Sequence, residues 1–160
     1  MVEENFCGAV DTPIGLIEVV ACSKGIKSVA FKETELRQTK PGPFVEEALI
    51  QLREFFAGNR EQFSLPLVPD GTAFESHVWN ALQTIPFGQT CSYLDIANRL
   101  NNPGAIRAIG RANGANPIAV IIPCHRVIGS DGSLTGYAGG LWRKRWLLDH
   151  EARAAGTILF

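Results

Sequence analysis

A proline-rich segment at residues 65–71, Leu-Pro-Leu-Val-Pro-Asp-Gly, separates two parts of the 160-residue chain that carry different hydrophobic patterns. Before it, short runs rich in Val, Ile and Phe alternate with glycine-containing turns, which is typical of strands. After it, apolar residues recur every three or four positions, which is typical of helices. Strands grouped ahead of helices predict the α+β class rather than alternating α/β units. We therefore predict an α+β fold with two domains, residues 1–71 and residues 72–160.

The first part is predicted to be an antiparallel meander followed by one helix. Its strands are residues 6–12, 14–22 and 26–32, which are separated by short glycine-containing turns. The helix is residues 43–58, with Pro43 in its first turn and Gly58 at its C-terminal stop. This part contains no catalytic constellation, so we expect it to be a scaffold.

The second part begins with signals for three helices. Thr72-x-x-Glu75 and Ser92-x-x-Asp95 are capping boxes, and a tight turn at residues 101–104 leads into a third helix from Ala105 to about residue 114. We expect the apolar residues of the middle helix to face inward; they are Leu94, Ile96, Ala97 and Leu100. Two short helices joined by a turn of about four residues have the outline of a helix-turn-helix. Many helix pairs share that outline without binding DNA.

The third helix is unusual because its predicted surface consists of small residues interrupted by two arginines. The small residues are Ala105, Ala108, Gly110, Ala112 and Gly114, and the arginines are Arg107 and Arg111. A helix that reads bases in the major groove usually carries several long polar side chains. A helix of small residues instead allows its backbone to approach DNA with little sequence preference. Close packing against another helix explains the same pattern, and both interpretations stay open at this point.

Charge is distributed unevenly along the chain. Residues 1–72 carry 7 basic and 11 acidic side chains (−4) and residues 73–160 carry 8 and 5 (+3), which together give the net charge of −1. No acid occurs between Ile96 and Ser130, whereas four arginines do: Arg99, Arg107, Arg111 and Arg126. This excess favours an anionic partner such as nucleic acid. The alternative is a solvated helix face that lacks acids.

Cys124 stands immediately before His125, which places a nucleophile beside a base. The thiolate is the reactive form of cysteine, and a neighbouring base raises its population. The apolar run at residues 118–122 predicts a buried strand or extended segment, and Pro123 ends that run just before the sulfur. A Cys-His pair taken alone equally fits a buried structural cysteine beside a satisfied histidine.

The cysteines and the N-terminus indicate the compartment. The chain has four widely spaced cysteines without a CxxC pair (Cys7, Cys22, Cys91 and Cys124), so we expect free thiols rather than a disulfide scaffold or a zinc ribbon. No apolar run approaches the roughly 20 residues that a membrane span needs. The acidic N-terminus lacks the features of a signal peptide. We expect a cytoplasmic protein without membrane contact.

Residues 123–127, Pro-Cys-His-Arg-Val, carry a specific resemblance when they are read with their surroundings. Asn116-Pro117 precedes them, and Gly-Tyr-Ala-Gly-Gly at 136–140 and Leu-Leu-Asp-His-Glu at 147–151 follow. Together these motifs resemble the O6-alkylguanine-DNA alkyltransferases (methylated-DNA–protein-cysteine methyltransferases). The resemblance implies a ribonuclease H-like N-terminal domain and a winged-helix-like C-terminal domain that contains the helix-turn-helix. It also implies single-turnover repair, in which the base is flipped out of the duplex and its alkyl group moves irreversibly from O6-alkylguanine, with O4-alkylthymine a further candidate, to the protein.

The resemblance assigns five catalytic roles. Cys124 is the expected alkyl acceptor, and His125 is the base that removes its proton through a water. Glu151 is expected to orient and stabilise the imidazole. Asn116 is expected to brace the turn around the active site. Tyr93 is expected to hydrogen-bond the base and to help protonate the departing guanine.

The resemblance also suggests residues that contact DNA and the flipped base. Arg107 resembles the finger that takes the place of the extruded nucleotide. The other expected DNA contacts are Arg111, Ala105, Ala108, Arg126, Thr90 and Ser92. The expected pocket around the flipped base consists of the Val127 backbone, Tyr137, Ala138 and Gly139.

The remaining expectations concern cofactors, partners and competing functions. We expect no cofactor and no metal, because Lys27 occupies the position of a histidine that holds zinc in some relatives. The expected partner is double-stranded DNA carrying O6-alkylguanine, bound by a monomer. Two other functions stay open: a cysteine hydrolase, which needs an oxyanion hole, and a non-catalytic DNA-binding regulator, which survives loss of Cys124.

Overall fold

A computed structural model describes residues 3–36 and 38–156 of the chain. The described residues form two compact units. One contains the residues up to Asp70 together with Pro117–Ile121, and the other contains Gly71–Asn116 and the residues from Ile122 onward. The short segment Pro117–Ile121 thus belongs to the first unit although it follows the linker by more than 40 residues. The predicted division between residues 71 and 72 does not include this return of the chain to the first unit.

The first unit is built on a three-stranded antiparallel sheet. Strands β1 (Phe6–Thr12), β2 (Gly15–Cys22) and β3 (Gly25–Lys32) lie in the order β1-β2-β3. Alternate residues of β1 and β2 are buried, for example Ile17, Val19 and Ala21 in β2, as the two-residue period of a strand requires. The predicted strands and the α+β class are confirmed.

Helix α1 (Val45–Phe56) packs against β1 and β2. It approaches the sheet closely at Gly8, where an added Cβ would stand 2.9 Å from Val45 Cγ1. The prediction that Pro43 lies in the first helical turn is wrong. Phe44, the N-cap residue, has a left-handed φ of 68°, so the regular helix begins only after it.

The segment Pro117–Ile121 joins β3 through Val29, on the edge that does not pair with β2. The Val29 amide donates to the Pro117 carbonyl at 3.0 Å, and the Ala119 amide donates to the Val29 carbonyl at 3.0 Å. Val120 then takes a left-handed φ of 69° and the chain turns. The segment is buried as predicted, but it forms a single bridge and a turn rather than a strand.

The second unit is mainly helical. It contains α2 (Ala73–Leu82), α3 (Tyr93–Arg99), α4 (Ile106–Gly114) and α5 (Leu141–Ala154), together with a parallel pair of two-residue strands, β4 (Cys91–Ser92) and β5 (Val127–Ile128). Both predicted capping boxes are formed, at the starts of α2 and α3. A 3-10 turn, Pro103–Ala105, leads into α4, so the helix-turn-helix outline of α3 and α4 is confirmed. None of the described helices is long and apolar enough to cross a membrane.

Two residues of the helix-turn-helix face the opposite way from the sequence expectation. Leu94 is 40% exposed, because Ile96 and Ala97 occupy the inner face of the seven-residue α3 and a residue two positions earlier points away from that face. Ala112, expected on the surface of α4, is buried. The buried Trp79 of α2 donates its indole N–H to the Ala112 carbonyl at 2.8 Å, which fixes this side of α4 against α2.

Candidate active site

Cys124 lies in a 3-10 turn, Cys124–Arg126, between Pro123 and strand β5. Strand β5 pairs in parallel with β4, with Ser92 opposite Ile128. The Ser92 side chain also accepts a hydrogen bond from the Asp95 amide and so caps α3. This pairing therefore brings the first residue of α3, Tyr93, to the strand that leaves the nucleophile.

His125 is paired with Glu151 in the interior. Its Nε2 lies 2.7 Å from Glu151 Oε2, and the two side chains are 0% and 1% exposed. His125 Nδ1 has no hydrogen-bond partner among the described residues. The proton of a neutral ring therefore belongs on Nε2, facing the carboxylate, and Nδ1 keeps the lone pair that can accept a proton. Burial lowers the pKa of His125 against the opposing effect of Glu151, which keeps the resting imidazole neutral.

Glu151 also binds Arg126, and this contact corrects a prediction. Arg126 Nε donates to Glu151 Oε1 at 2.8 Å, Nη2 donates to Oε2 at 2.9 Å, and Nη1 donates to the Ile85 carbonyl at 2.7 Å. The prediction that Arg126 contacts DNA is wrong, because its guanidinium is turned inward and the residue is 7% exposed. Burial alone would raise the pKa of Glu151, but His125 and the permanently charged Arg126 outweigh it and lower the pKa from 4.5 to about 2.

The thiol of Cys124 is buried, and two asparagines hydrogen-bond to backbone carbonyls at or near this residue. Asn116 Nδ2 donates to the Ile122 carbonyl at 2.8 Å, and Asn113 Nδ2 donates to the Cys124 carbonyl at 3.3 Å. Burial raises the pKa of the Cys124 thiol, and a hydrogen bond with Asn116 and the charge of Lys144 oppose that rise. The resting sulfur is therefore protonated, and its reaction needs a base.

Lys144 is a buried cation that sequence reasoning missed. It is 0% exposed, and its Nζ donates to the carbonyls of Val127 at 2.7 Å and Thr135 at 2.8 Å. Burial lowers the pKa of Lys144, and a thiolate at Cys124 raises it. A signal was present in the sequence. Leu147 and Glu151 follow Lys144 by three and seven residues, which places all three on one face of α5.

Tyr93, expected to be catalytic, and the four expected pocket residues occupy different environments. The Tyr93 hydroxyl lies 2.6 Å from Thr135 Oγ1. The Tyr137 hydroxyl is buried, and burial raises its pKa well above 10.0. Ala138 is exposed, while the Gly139 carbonyl accepts from Arg143 Nη1 at 2.9 Å. The Val127 side chain is buried, and its carbonyl is already an acceptor for Lys144.

The remaining expected DNA contacts lie at or near α4. Arg107 and Arg111 are exposed on α4, whereas Ala105 and Ala108 are half-buried. Thr90 is exposed before β4, and the half-buried Ser92 uses its hydroxyl as the α3 cap. With Arg126 withdrawn into the interior, three of the four arginines counted in the sequence stay on the surface: Arg99, Arg107 and Arg111.

Comparison with known proteins gives the family. The ribonuclease-like domain of 6-O-methylguanine DNA methyltransferase matches residues 5–69, and its DNA binding domain matches residues 73–153. The methylated-DNA–protein-cysteine methyltransferase of Methanosarcina barkeri is 47% identical over 148 residues, which cover 89% of this chain and 94% of the relative.

Solved structures agree with these matches. A crystal structure of the Mycobacterium tuberculosis O6-methylguanine methyltransferase superposes with a TM-score of 0.86 at 41% identity and covers 94% of each chain. A crystal structure of the Mycobacterium tuberculosis OGT in complex with DNA gives a TM-score of 0.85 at 43% identity, covering 92% of this chain and 93% of that one. Because the matches extend over both units, the chain belongs to the 6-O-methylguanine DNA methyltransferase family.

Proposed function

We propose that this protein repairs DNA by transferring the alkyl group of O6-alkylguanine to the sulfur of its own Cys124. The observation that carries the proposal is the buried chain of polar contacts from His125 to Glu151 to Arg126, which begins at the residue beside the cysteine. A buried imidazole oriented by a carboxylate is the arrangement that activates a nucleophile. The family relatives named as methylated-DNA–protein-cysteine methyltransferases support the same chemistry.

The geometry suggests how each proton moves. His125 Nδ1 takes the thiol proton of Cys124 through a water, and Glu151 stabilises the imidazolium that forms. Arg126 keeps the carboxylate ionised throughout. The thiolate then forms a carbon–sulfur bond as the bond between the alkyl carbon and O6 breaks, and the electrons of that bond stay with the guanine. Tyr93 donates a proton to the departing base, so that guanine does not leave as an anion.

Stoichiometric consumption follows from the product. A thioether has no good leaving group, so the alkyl group stays on the sulfur of Cys124. Each chain therefore acts once. O4-alkylthymine stays a further candidate substrate, since its alkyl group is attached through the same kind of oxygen.

The partner we propose is double-stranded DNA, bound by a monomer in the cytoplasm. The DNA-complexed relative and the exposed arginines of α4 support DNA as the partner. A buried thiol cannot reach a base inside a duplex, so the base must flip out. We place α4 in the minor groove, which at about 6 Å is too narrow for a helix of about 10 Å, so the groove must open and the duplex bend.

Intact-mass measurement after incubation with methylated duplex DNA tests the proposal. We expect one methyl group per chain, and we expect Cys124→Ser to gain no mass while it still binds the lesion. A cysteine hydrolase would turn over an ester or amide with Cys124 unmodified, and a non-catalytic regulator would show no mass change at all. Repeated turnover by one chain on excess methylated DNA would contradict the proposal.

A further inference from the structure

We propose that Thr135 is a positioning residue for alkyl transfer, because its hydroxyl holds the phenol of Tyr93 in place for the departing base. The inference rests on the proposed function and adds a residue to it. The observation behind it is the 2.6 Å contact between Tyr93 Oη and Thr135 Oγ1, which joins α3 to the segment that precedes α5.

The phenol of Tyr93 is hydrogen-bonded to the side chain of Thr135. Tyr93 is the first residue of α3, so the capping box of Ser92 and Asp95 fixes its backbone but not its ring. Gly110 of α4 lies near the ring, because an added Cβ there would be 4.0 Å from Tyr93 Cε1. The hydrogen bond to Thr135 restrains the ring of Tyr93.

Thr135 is itself anchored to the strand that follows the nucleophile. Its carbonyl accepts from Lys144 Nζ at 2.8 Å, and the same ammonium donates to the Val127 carbonyl at 2.7 Å. Val127 is the residue that begins β5, directly after the turn Cys124–Arg126. The side chain of Thr135 thus contacts the phenol of Tyr93. Its main-chain carbonyl is linked through the buried ammonium of Lys144 to β5, the strand that follows Cys124.

The proton transfer from Tyr93 determines which of the two hydroxyl groups donates the hydrogen bond between Tyr93 and Thr135. Hydroxyl groups of Tyr and Thr can each donate one hydrogen bond and accept two. When Tyr93 donates its proton to a ring nitrogen of the departing guanine, Thr135 is left as the donor to Tyr93 Oη. The negative charge that grows on the phenol oxygen is then stabilised by a hydrogen bond to a charged group, which is stronger than one between neutral groups. Thr135 keeps its own proton throughout.

Single-turnover transfer from a methylated duplex, with DNA affinity measured separately, tests the role of Thr135. Thr135→Val keeps the shape and the main-chain bond to Lys144 but removes the hydroxyl, and we expect it to slow transfer about ten-fold, the loss of one charge-assisted hydrogen bond. DNA affinity should be unchanged. Thr135→Ser should recover most of the rate. Thr135→Ala should be as slow as Thr135→Val, which would show that the slowing comes from the lost hydroxyl and not from poor packing of the valine.

A double-mutant cycle with Tyr93→Phe separates positioning from structure. If Thr135 acts through the phenol, then Thr135→Val has no further effect in the Tyr93→Phe background. An equal slowing in both backgrounds, a wild-type rate for Thr135→Val and Thr135→Ala, or a serine variant as slow as valine would each overturn the inference. Failure of the proposed function has a different signature, since the wild-type chain would then gain no methyl group.

Discussion

Glu151 is the residue on which the polar contacts of the site converge. Its carboxylate accepts hydrogen bonds from His125, from two nitrogens of Arg126 and, at 3.4 Å, from the Gly88 amide. A buried charge is costly unless it is paired and hydrogen-bonded, and removing one partner leaves the other uncompensated. Glu151 therefore stabilises the folded state and also orients the imidazole of His125.

Glu151→Gln should lower the free energy of unfolding most at neutral pH. The folded pKa of about 2 lies below the unfolded value of 4.5, so the stabilisation is complete above pH 4.5 and is lost as the pH falls toward 2. The difference in pKa corresponds to about 3 kcal/mol. The lowered pKa of the buried His125 acts in the same direction, because the unfolded chain takes up that proton first.

Urea denaturation of both proteins at pH 7, 4 and 3 measures this effect. We expect the stability difference between wild type and Glu151→Gln to shrink as the pH falls. Asp149→Asn is the matched control, because Asp149 lies on the same helix but is partly exposed. Parallel stability curves for wild type and Glu151→Gln would show that the carboxylate is not held in its charged form by the fold.

At the scale of single residues, the sequence places the candidate reacting groups side by side but does not reveal the residues that support them. Cys124 and His125 are adjacent, so a local motif is enough to place them together. Arg126 was assigned to DNA and Lys144 was overlooked, because a count of charges does not distinguish a buried cation from an exposed one. Thr135 depends on a contact with Tyr93 across 42 residues, and no local pattern predicts such a contact.

Elements defined by local hydrogen bonds were predicted well, and those defined by distant partners were not. The capping boxes at Thr72 and Ser92 lie within four residues of sequence, and both helices start where these boxes place them. The inner faces of α3 and α4 depend on what packs against them, which is why Leu94 and Ala112 were assigned to the wrong sides. Helix α4 nevertheless keeps its two arginines on the surface, which gives it a testable role.

Arg107→Ala should slow repair of a lesion in duplex DNA far more than the reaction with free O6-alkylguanine base. Extruding a stacked base costs a few kcal/mol, and a planar guanidinium that fills the vacancy recovers part of that cost. We expect a loss on the order of ten-fold or more with duplex DNA and a change of less than about two-fold with the free base. Single-turnover rates with the two substrates make the comparison.

Arg111→Ala is the matched control for the Arg107 test. Arg111 is exposed on the same helix, four residues along, and we expect it to contact phosphate at most. Its loss should weaken DNA binding and lower the slope of log affinity against log salt by about 1, without favouring one substrate. Equal slowing of both reactions by Arg107→Ala would place that residue in folding or in the pocket instead of in the stack.

At the scale of the whole molecule, the path of the chain is the feature that sequence patterns did not reveal. The prediction of two contiguous domains does not include the return of Pro117–Ile121 to the first unit. That return depends on pairing with Val29 of β3, almost 90 residues earlier in the chain, and on a left-handed Val120. An apolar run of five residues predicts burial correctly, but its partner strand is decided by the fold as a whole.

The segment that pairs with Val29 of β3 is followed within three residues by Cys124, so we expect loss of this pairing to slow the reaction. Val29→Pro removes the backbone N–H that donates to the Pro117 carbonyl. A lost hydrogen bond of about 1 kcal/mol predicts single-turnover transfer about five-fold slower, with little change in DNA affinity. Val29→Ala, which loses side-chain packing but keeps the amide, is the control, and transfer as fast in Val29→Pro as in Val29→Ala would show that this anchor does not hold the nucleophile's segment in its reactive position.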